Sequence, residues 1–339
     1  YTTGQGLYAR DYPAHVAVEK GEVLTRLIVE NELGQMCGTR QEIALVAGLE
    51  RIDCRTYIAD YQSEDDLFAV SFPTGLRGAV PTFDDRYAAT AKRESKGLFD
   101  FRTHRMFMFS GCAVYPADRW MEYGPTVKVD FGGGRGFCLG MSALVTPEEE
   151  TIRPIAEELL LALTKKGIPV TPWPDDKNPP MGSSLEELND DLLYTDVRIA
   201  LTTDQAPNAY ATRVLKAAGE KAKAFQRGVR EQGSAVLFAI DDDNDERKPI
   251  KVLVLGARDA EGLRELVSCV VAELREKETV DASGAVLAAD PGIVDDYGVT
   301  LINTGNIACS VEKGGIVTLL LFHTARWYGA TGNIEGRNY

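Results

Sequence analysis

Histidine is scarce in this sequence, and long apolar runs are missing. Only three histidines occur in 339 residues, and His15, His104 and His323 are far apart. None of them has a second histidine or a carboxylate at the spacing with which one helix or hairpin holds a metal, so no local metal site is predicted. No stretch approaches the roughly 20 apolar residues that cross a bilayer, and we therefore expect no membrane span.

Cysteine is present six times, but no CxxC pair or other short spacing occurs. This excludes the usual patterns of a zinc site or a redox motif, and a disulfide framework is not expected in a chain with this much apolar sequence. Three cysteines, Cys54, Cys138 and Cys269, lie within apolar strand or helix patterns and are predicted to be buried, reduced thiols. Reduced thiols slightly favour a cytoplasmic location over secretion, but the compartment stays open.

Basic residues are outnumbered, with 37 lysines and arginines against 51 acidic residues, which gives a formal charge of −14. The averaged field repels nucleic acid and anionic membranes, and neither is predicted to be a partner.

Signatures of a complete active site are also missing. The sequence has no Gly-x-Ser-x-Gly elbow. The glycine-rich run 132–136 precedes a strand instead of opening a helix, so it is predicted to be a flexible hinge and not a phosphate-binding loop. The acidic run 241–246 lacks the glycine and glutamate of a calcium loop and is predicted to be a solvated turn.

What the sequence does contain is a long series of strand patterns at 18–131. Ile52, Cys54, Thr56 and Ile58 alternate with polar or charged residues, which is the period of a sheet with one solvated face. Strands in series without intervening helices predict antiparallel sheets.

The pattern changes to alternating strands and helices at 137–290. Thr146, Pro147 and Glu149 resemble the start of a helix, and Lys165 to Gly167 resemble its end. Strand patterns return near Gly298. We therefore predict a β-rich plus α/β fold, in which a large antiparallel β-sandwich (1–136 and the return segment 291–339) is interrupted by an inserted α/β domain (137–290).

The order of several short motifs resembles the C-terminal β domains of glycoside hydrolase family 38, the α-mannosidases and mannosylglycerate hydrolases. The motifs are Arg40 to Leu45, Gly48 to Asp53, Phe68 to Pro73, Ala91 to Arg93, Tyr115 to Trp120, Tyr297 to Asn303 and Gly315 to Leu321. The resemblance covers roughly residues 18–131 and 296–322.

The chain also departs from that family. Tyr61 stands where the family usually has tryptophan, and the stretch Leu320 to His323 lacks the family's arginine. The α/β insertion between Trp120 and Tyr297 is unusual for the family. It is somewhat similar to the small α/β accessory domains beside other glycosidase barrels, which is a likeness of fold only.

The resemblance implies a hydrolase whose catalytic residues lie elsewhere. The family's divalent metal, typically zinc, and its aspartate nucleophile belong to an N-terminal domain that these residues do not include. This chain is thus expected to be the non-catalytic C-terminal portion, inactive alone and without a cofactor of its own. Its partners would be that catalytic domain and a carbohydrate substrate, and its oligomeric state stays open.

Arg93, Arg119 and Trp120 match the family's pattern best and are the candidates for the rim of the sugar site or for an interdomain contact. An arginine can make bidentate contacts with a carboxylate, and a tryptophan can fill the core or stack on a sugar. For Trp120 the core is favoured, and for Arg93 an ion pair is favoured over substrate contact.

Two other functions remain open. The chain can instead be a stand-alone carbohydrate-binding or interaction module without catalysis. Alternatively, the insertion is a small-ligand module, which would require a crevice with convergent polar groups at the carboxyl ends of its strands.

Overall fold

The computed structural model describes residues 7–62, 67–85, 88–92, 94, 115–174, 195–241, 249–303, 308–312 and 314–323. The chain forms two compact units, residues 1–68 with 321–339 and residues 69–320. This division does not test the predicted domain boundaries at 136 and 290, which stay a prediction.

The first unit contains a four-stranded antiparallel sheet in sequential order. Its strands are β1 (Ala14–Lys20), β2 (Leu24–Leu33), β3 (Cys37–Val46) and β4 (Ile52–Ala59). Strand period two gives the sheet two different faces. The polar face carries His15, Glu19, Arg26, Glu30, Glu32, Arg40, Glu42, Asp53, Arg55 and Tyr57, and the apolar face carries Val16, Val18, Leu27, Val29, Ile43, Leu45, Ile52 and Cys54.

One end of the apolar face is covered within the first unit. Leu33 and Cys37 are buried there in a small cluster with Phe68, and Tyr12 and Leu321 pack against it. Toward the other end, Ile52 and Cys54 are exposed. The predicted alternation along β4 is present, but the side that was expected to be buried is largely open to solvent.

Eight strands follow along the chain, and the first of them crosses the boundary between the units at 68/69. They are β5 (Leu67–Pro73), β6 (Val80–Asp85), β7 (Ala88–Ala91), β8 (Tyr115–Pro116), β9 (Trp120–Gly124), β10 (Lys128–Asp130), β11 (Gly136–Cys138) and β12 (Ser142–Thr146). The glycine run between β10 and β11 is a hairpin turn, not the predicted hinge. Gly132, Gly133 and Gly134 all have positive φ there, and Phe131 donates to the Arg135 carbonyl.

A short 3-10 helix, Ala9–Asp11, precedes β1, and the α-helices of the described residues all lie in the next stretch. It contains α1 (Arg153–Lys165), β13 (Val170–Pro174), β14 (Val197–Thr203), α2 (Ala209–Ala218), α3 (Glu220–Gln232), β15 (Ser234–Asp241), β16 (Ile250–Ala257) and α4 (Ala260–Glu276). Five short strands follow: β17 (Thr279–Asp281), β18 (Val286–Leu287), β19 (Val299–Ile302), β20 (Ala308–Glu312) and β21 (Ile316–His323).

The largest sheet has six strands in the order β13-β12-β14-β16-β15-β18 and is covered by helices on both faces. Its first four strands are parallel, while β15 is antiparallel to β16. Apolar residues of α1 and α4 pack on one face, and those of α2 and α3 pack on the other. The predicted β-α-β unit at α1 is confirmed by the parallel pairing of β12 with β13.

Strands from before and after this helical stretch pair with each other. One four-stranded sheet has the order β19-β9-β6-β7 and another the order β5-β21-β20-β8, with antiparallel pairing of β19 to β9 and of β8 to β20. Buried residues of both sheets, among them Phe83, Met121 and Val311, form one apolar cluster. The prediction of a β-rich fold with antiparallel sheets and an α/β part is confirmed at this level.

Two helix predictions were wrong in detail. Thr146 does not cap α1, because it pairs with Pro174 as the last residue of β12, and the helix begins only at Arg153 with Pro154 in its first turn. The helix expected at about 208–231 is two helices, since Gly219 has φ 57° and ψ −121° between them. The predicted helix end at Gly167, with φ 76°, is confirmed.

The cysteine prediction was also partly wrong. Cys37, Cys138 and Cys309 are buried, whereas Cys54 and Cys269 are exposed. All five are reduced thiols, and Cys112 lies outside the described residues.

Candidate functional site

The clearest candidate site lies in the second unit, where β9 begins. Arg119 directly precedes the strand, its side chain is 81% exposed, and its carbonyl accepts a hydrogen bond from the Asn303 amide at 2.9 Å. Asn303 is buried and donates from its side chain to the Ala117 carbonyl at 3.2 Å. These bonds attach the segment before β9 to the end of β19 and fix the backbone that carries Arg119.

Trp120 begins β9 and is half-buried. The next residue, Met121, is fully buried in the apolar cluster, so strand alternation places Trp120 on the opposite face of the sheet. Its cross-strand neighbour Ile302 is 70% exposed. Trp120 therefore lies on an outer face beside exposed apolar surface, not in the core that the sequence favoured.

Asp84 completes this arrangement, and sequence analysis missed it. Phe83 on β6 pairs with Met121 on the neighbouring strand β9, so the next residue of β6, Asp84, comes close to Trp120. The Asp84 carboxylate is largely buried, and its Oδ2 accepts no hydrogen bond within the described part of the chain. Arg119 Nε lies 3.5 Å from that oxygen, which is long for a hydrogen bond. A single aspartate among many acidic residues gave no signal in the sequence.

The site thus combines an exposed guanidinium with a half-buried indole, and the buried carboxylate of Asp84 lies beside the guanidinium. A guanidinium donates to hydroxyl or carboxylate oxygens, and an indole face stacks on apolar ring surface. This chemistry suits contact with a polyol. Arg93, the third predicted residue, lies outside the described residues.

A second arrangement is a groove of about 640 Å³ on the polar face of the first unit. Arg40 is held there by two carboxylates, because its Nη1 donates to Glu30 Oε1 and its Nη2 to Glu42 Oε1, both at 2.9 Å. The cross-strand neighbour of Arg40 is Tyr57, a residue that is 47% exposed. The groove offers an accessible aromatic ring beside fixed polar groups.

The α/β part contains a buried charged cluster around Asp241. Tyr210 donates its hydroxyl hydrogen to Asp241 Oδ2 at 2.8 Å, and Arg213 makes a bidentate contact with both carboxylate oxygens at 3.1 and 2.8 Å. Arg198 lies 3.8 Å from the same carboxylate. The two guanidinium groups also lie about 5 Å from the centre of the Tyr210 ring. This closed network ties α2 to β14 and β15.

A small-ligand site was considered at the carboxyl ends of the parallel strands. The polar side chains there stabilise the local backbone instead. Asn208 is fully buried and donates to the carbonyls of Val145 and Leu201 at 3.0 Å, while its Oδ1 caps α2 by accepting from the Ala211 amide. The Thr203 hydroxyl accepts from the Ala206 amide. The polar groups of Asn208 and Thr203 are thus used to bond the backbone.

Metal ligands do not gather in the part of the chain that the structure describes. No group of three or more histidine, cysteine, aspartate or glutamate side chains is placed to hold an ion there. His15 is exposed, with Nδ1 3.8 Å from Glu30 Oε2, and the side chains of His104 and His323 lie outside the described set. Across the described ranges, no helix is long and apolar enough to cross a membrane.

Comparison with known proteins gives no relative for this chain. No family model, no curated protein and no solved structure matches it.

Proposed function

We propose that this chain is the non-catalytic C-terminal portion of an α-mannosidase-like glycoside hydrolase, with Arg119 and Trp120 at the rim of the sugar site. In this proposal an antiparallel sandwich carries an inserted α/β domain, and a separate N-terminal domain supplies the zinc and the nucleophile. Pairing of β9 with β19 and of β8 with β20, on either side of all the described α-helices, supports an insertion.

The observation that carries the proposal is the exposed Arg119 guanidinium beside the buried Asp84 carboxylate. The Asp84 carboxylate attracts the Arg119 guanidinium and so limits the positions it can take. The one contact, at 3.5 Å, leaves most of the guanidinium N–H groups able to donate to a ligand. An arginine placed in this way can donate to a sugar hydroxyl at the edge of a neighbouring catalytic site.

We expect Arg119→Ala to raise KM for an α-mannoside about tenfold in the complete enzyme, because loss of a charged hydrogen bond costs about 1.4 kcal/mol or more. The kcat should change little, since a rim contact acts on binding and not on the chemical step. Steady-state kinetics of the purified enzyme measure both values. The matched control is Arg51→Ala, which removes another exposed arginine that has one carboxylate partner, Asp53, in the first unit.

The native reading frame upstream of Tyr1 tests the rest of the proposal. It should encode a domain with a His-x-Asp pair, a later nucleophilic aspartate and a further histidine. Translation that begins close to Tyr1 would overturn the hydrolase assignment, and an unchanged KM in Arg119→Ala would remove Arg119 from the rim.

The groove on the polar face favours a second candidate function, a stand-alone carbohydrate-binding module. A half-exposed tyrosine can stack on the apolar face of a sugar ring, and Glu30 and Glu42 can accept hydrogen bonds from its hydroxyls. In this case the isolated chain binds sugar without any catalytic domain.

For this second function we expect saturable binding of α-linked mannotriose by the isolated chain, weakened roughly tenfold by Tyr57→Ala because a stacking contact is lost. Titration calorimetry measures the affinity. Tyr297→Ala, at another exposed tyrosine, is the control and should bind like the unsubstituted chain. Equal weakening by both substitutions, or no binding by the isolated chain, argues against the groove.

A further inference from the structure

The apolar face of the first unit is partly open to solvent. Val16, Val18, Leu45 and Ile52 are each more than half exposed, and Val18 reaches 64%. Register places Val18, Leu27, Ile43 and Cys54 in one fully apolar row across the four strands. The row on one side contains Lys20, Thr25, Leu45 and Ile52, and the row on the other side contains Val16, Val29, Gln41 and Thr56. The apolar residues therefore form one connected patch with polar residues at two of its corners, and apolar patches of this kind can mark interaction surfaces.

Charge separates the two faces of this sheet sharply. Within β1–β4, all of which the structure describes, every aspartate and glutamate side chain is on the polar face. Lys20 is the one charged residue whose register places it on the apolar face. The whole chain has a formal charge of −14, so two copies repel each other through most of their surfaces. A face without acidic residues is where a second copy can approach most easily.

The size of the patch fits a modest interface. The open part of the face spans four strands and about seven residues along each strand. With strands about 4.8 Å apart and a rise of about 3.3 Å per residue, its flat area is roughly 450 Å². A contact between two copies would bury about 900 Å² of flat area in total. Because protruding side chains make the solvent-accessible area larger than the flat area, the accessible area buried is close to the lower limit of about 1,200 Å² for specific interfaces. An interface of this size predicts a dimer that dissociates on dilution.

We propose that a second copy of this chain covers the apolar face, so that two four-stranded sheets pack face to face in a symmetric dimer. Two sheets with one apolar side each are the components of an aligned sandwich, with about 10 Å between the layers. The same patch on both copies makes the contact self-complementary, as twofold symmetry requires. The dimer is independent of the function proposed above and leaves the polar face and its groove open.

The first test is the mass of the full chain over a dilution series by sedimentation equilibrium. The unsubstituted chain should rise from 37.0 kDa towards twice that value as concentration increases. Ile52→Glu places a carboxylate in the contact, and this variant should keep the monomer mass of 37.0 kDa at every concentration. At the highest concentration its mass should therefore be half that of the unsubstituted chain. Ala59→Glu adds the same charge to the same strand on the polar face, and it should behave like the unsubstituted chain. Circular dichroism confirms that both variants are folded.

The second test uses the exposed thiols already present. Cys54 lies on the apolar face and Cys269 lies on α4 in the second unit. Mass spectrometry after brief alkylation should show that labelling of Cys54, but not of Cys269, slows as protein concentration rises. Protection of Cys54 that does not change on dilution means that part of the same chain covers the face, and it overturns the dimer. A dimer that survives Ile52→Glu also overturns it, because the contact then lies elsewhere.

Discussion

Phe238→Ala should lower the free energy of unfolding of the second unit by about 4 kcal/mol. Phe238 is fully buried on β15, and its ring centre lies 5.2 Å from those of Phe131 and Phe137. Those two residues lie on either side of the turn of the β10–β11 hairpin, so the three rings join the hairpin to the six-stranded sheet. Truncation leaves a cavity at this junction. Denaturant unfolding followed by the helical circular dichroism signal measures the change.

Two variants sharpen this experiment. Phe238→Leu keeps most of the buried volume and should cost clearly less than Phe238→Ala. Leu161→Ala removes an apolar side chain that is 53% exposed on α1, and it should change stability by less than about 0.5 kcal/mol. A loss below about 1 kcal/mol for Phe238→Ala would show that the three rings do not form a packed junction.

Features that depend on neighbouring residues could be predicted from the sequence. The end of α1 is an example, because Lys165 lies in the last turn and Gly167 adopts the positive φ that glycine tolerates. The β-α-β unit around this helix followed from the same local patterns, since a buried strand, an amphipathic helix and a second strand have few alternative arrangements.

Features that depend on distant residues could not be predicted. The apolar run 137–145 was one segment by composition, yet it supplies β11 to one sheet and β12 to another. Nothing local to Thr146 shows that it pairs with Pro174 and so cannot begin a helix. In the same way, Cys54 has the correct strand period, but the period does not reveal whether anything covers its face.

The residues of the candidate site show the same difference between local and distant information. Arg119 and Trp120 were found because they lie in a motif with a family resemblance, and the structure places both at an accessible position. Asp84 precedes Arg119 by 35 residues in the sequence (119 − 84). It comes close to Arg119 and Trp120 only because β6 pairs with β9. The Asp241 cluster likewise joins residues from three elements, and no spacing in the sequence announces it.

Asp241→Asn should destabilise the second unit by about 3 kcal/mol at neutral pH. The substitution keeps the size of the side chain but removes the charge that faces Arg213 and Arg198, so two guanidinium groups remain next to an uncharged amide. Removal of one partner from a buried ion pair typically costs about 3–5 kcal/mol, and the partial exposure of Arg213 places this case at the lower end. Denaturant unfolding of both proteins measures the difference.

The effect should depend on pH with a defined sign. Burial alone would raise the pKa of Asp241, but hydrogen bonds from Arg213 and Tyr210 and the charges of both arginines outweigh it, and the pKa is lowered from its ordinary value. A carboxyl group with a lowered pKa in the folded state contributes stability above its unfolded value of about 3.9, and that contribution is lost as the pH falls through the folded value. The stability difference between the two proteins should therefore be constant near neutral pH and should narrow below about pH 4.

An exposed pair provides the control for this experiment. Glu220 and Lys223 form an ion pair of 2.7 Å on α3 in which both side chains are largely solvent-exposed. Water screens such a pair, so Glu220→Gln should change the free energy of unfolding by less than about 0.5 kcal/mol. If Asp241→Asn costs as little as Glu220→Gln, the buried cluster does not hold α2 against the sheet. If its cost does not narrow in acid, the lost stability comes from packing and not from the charge of Asp241.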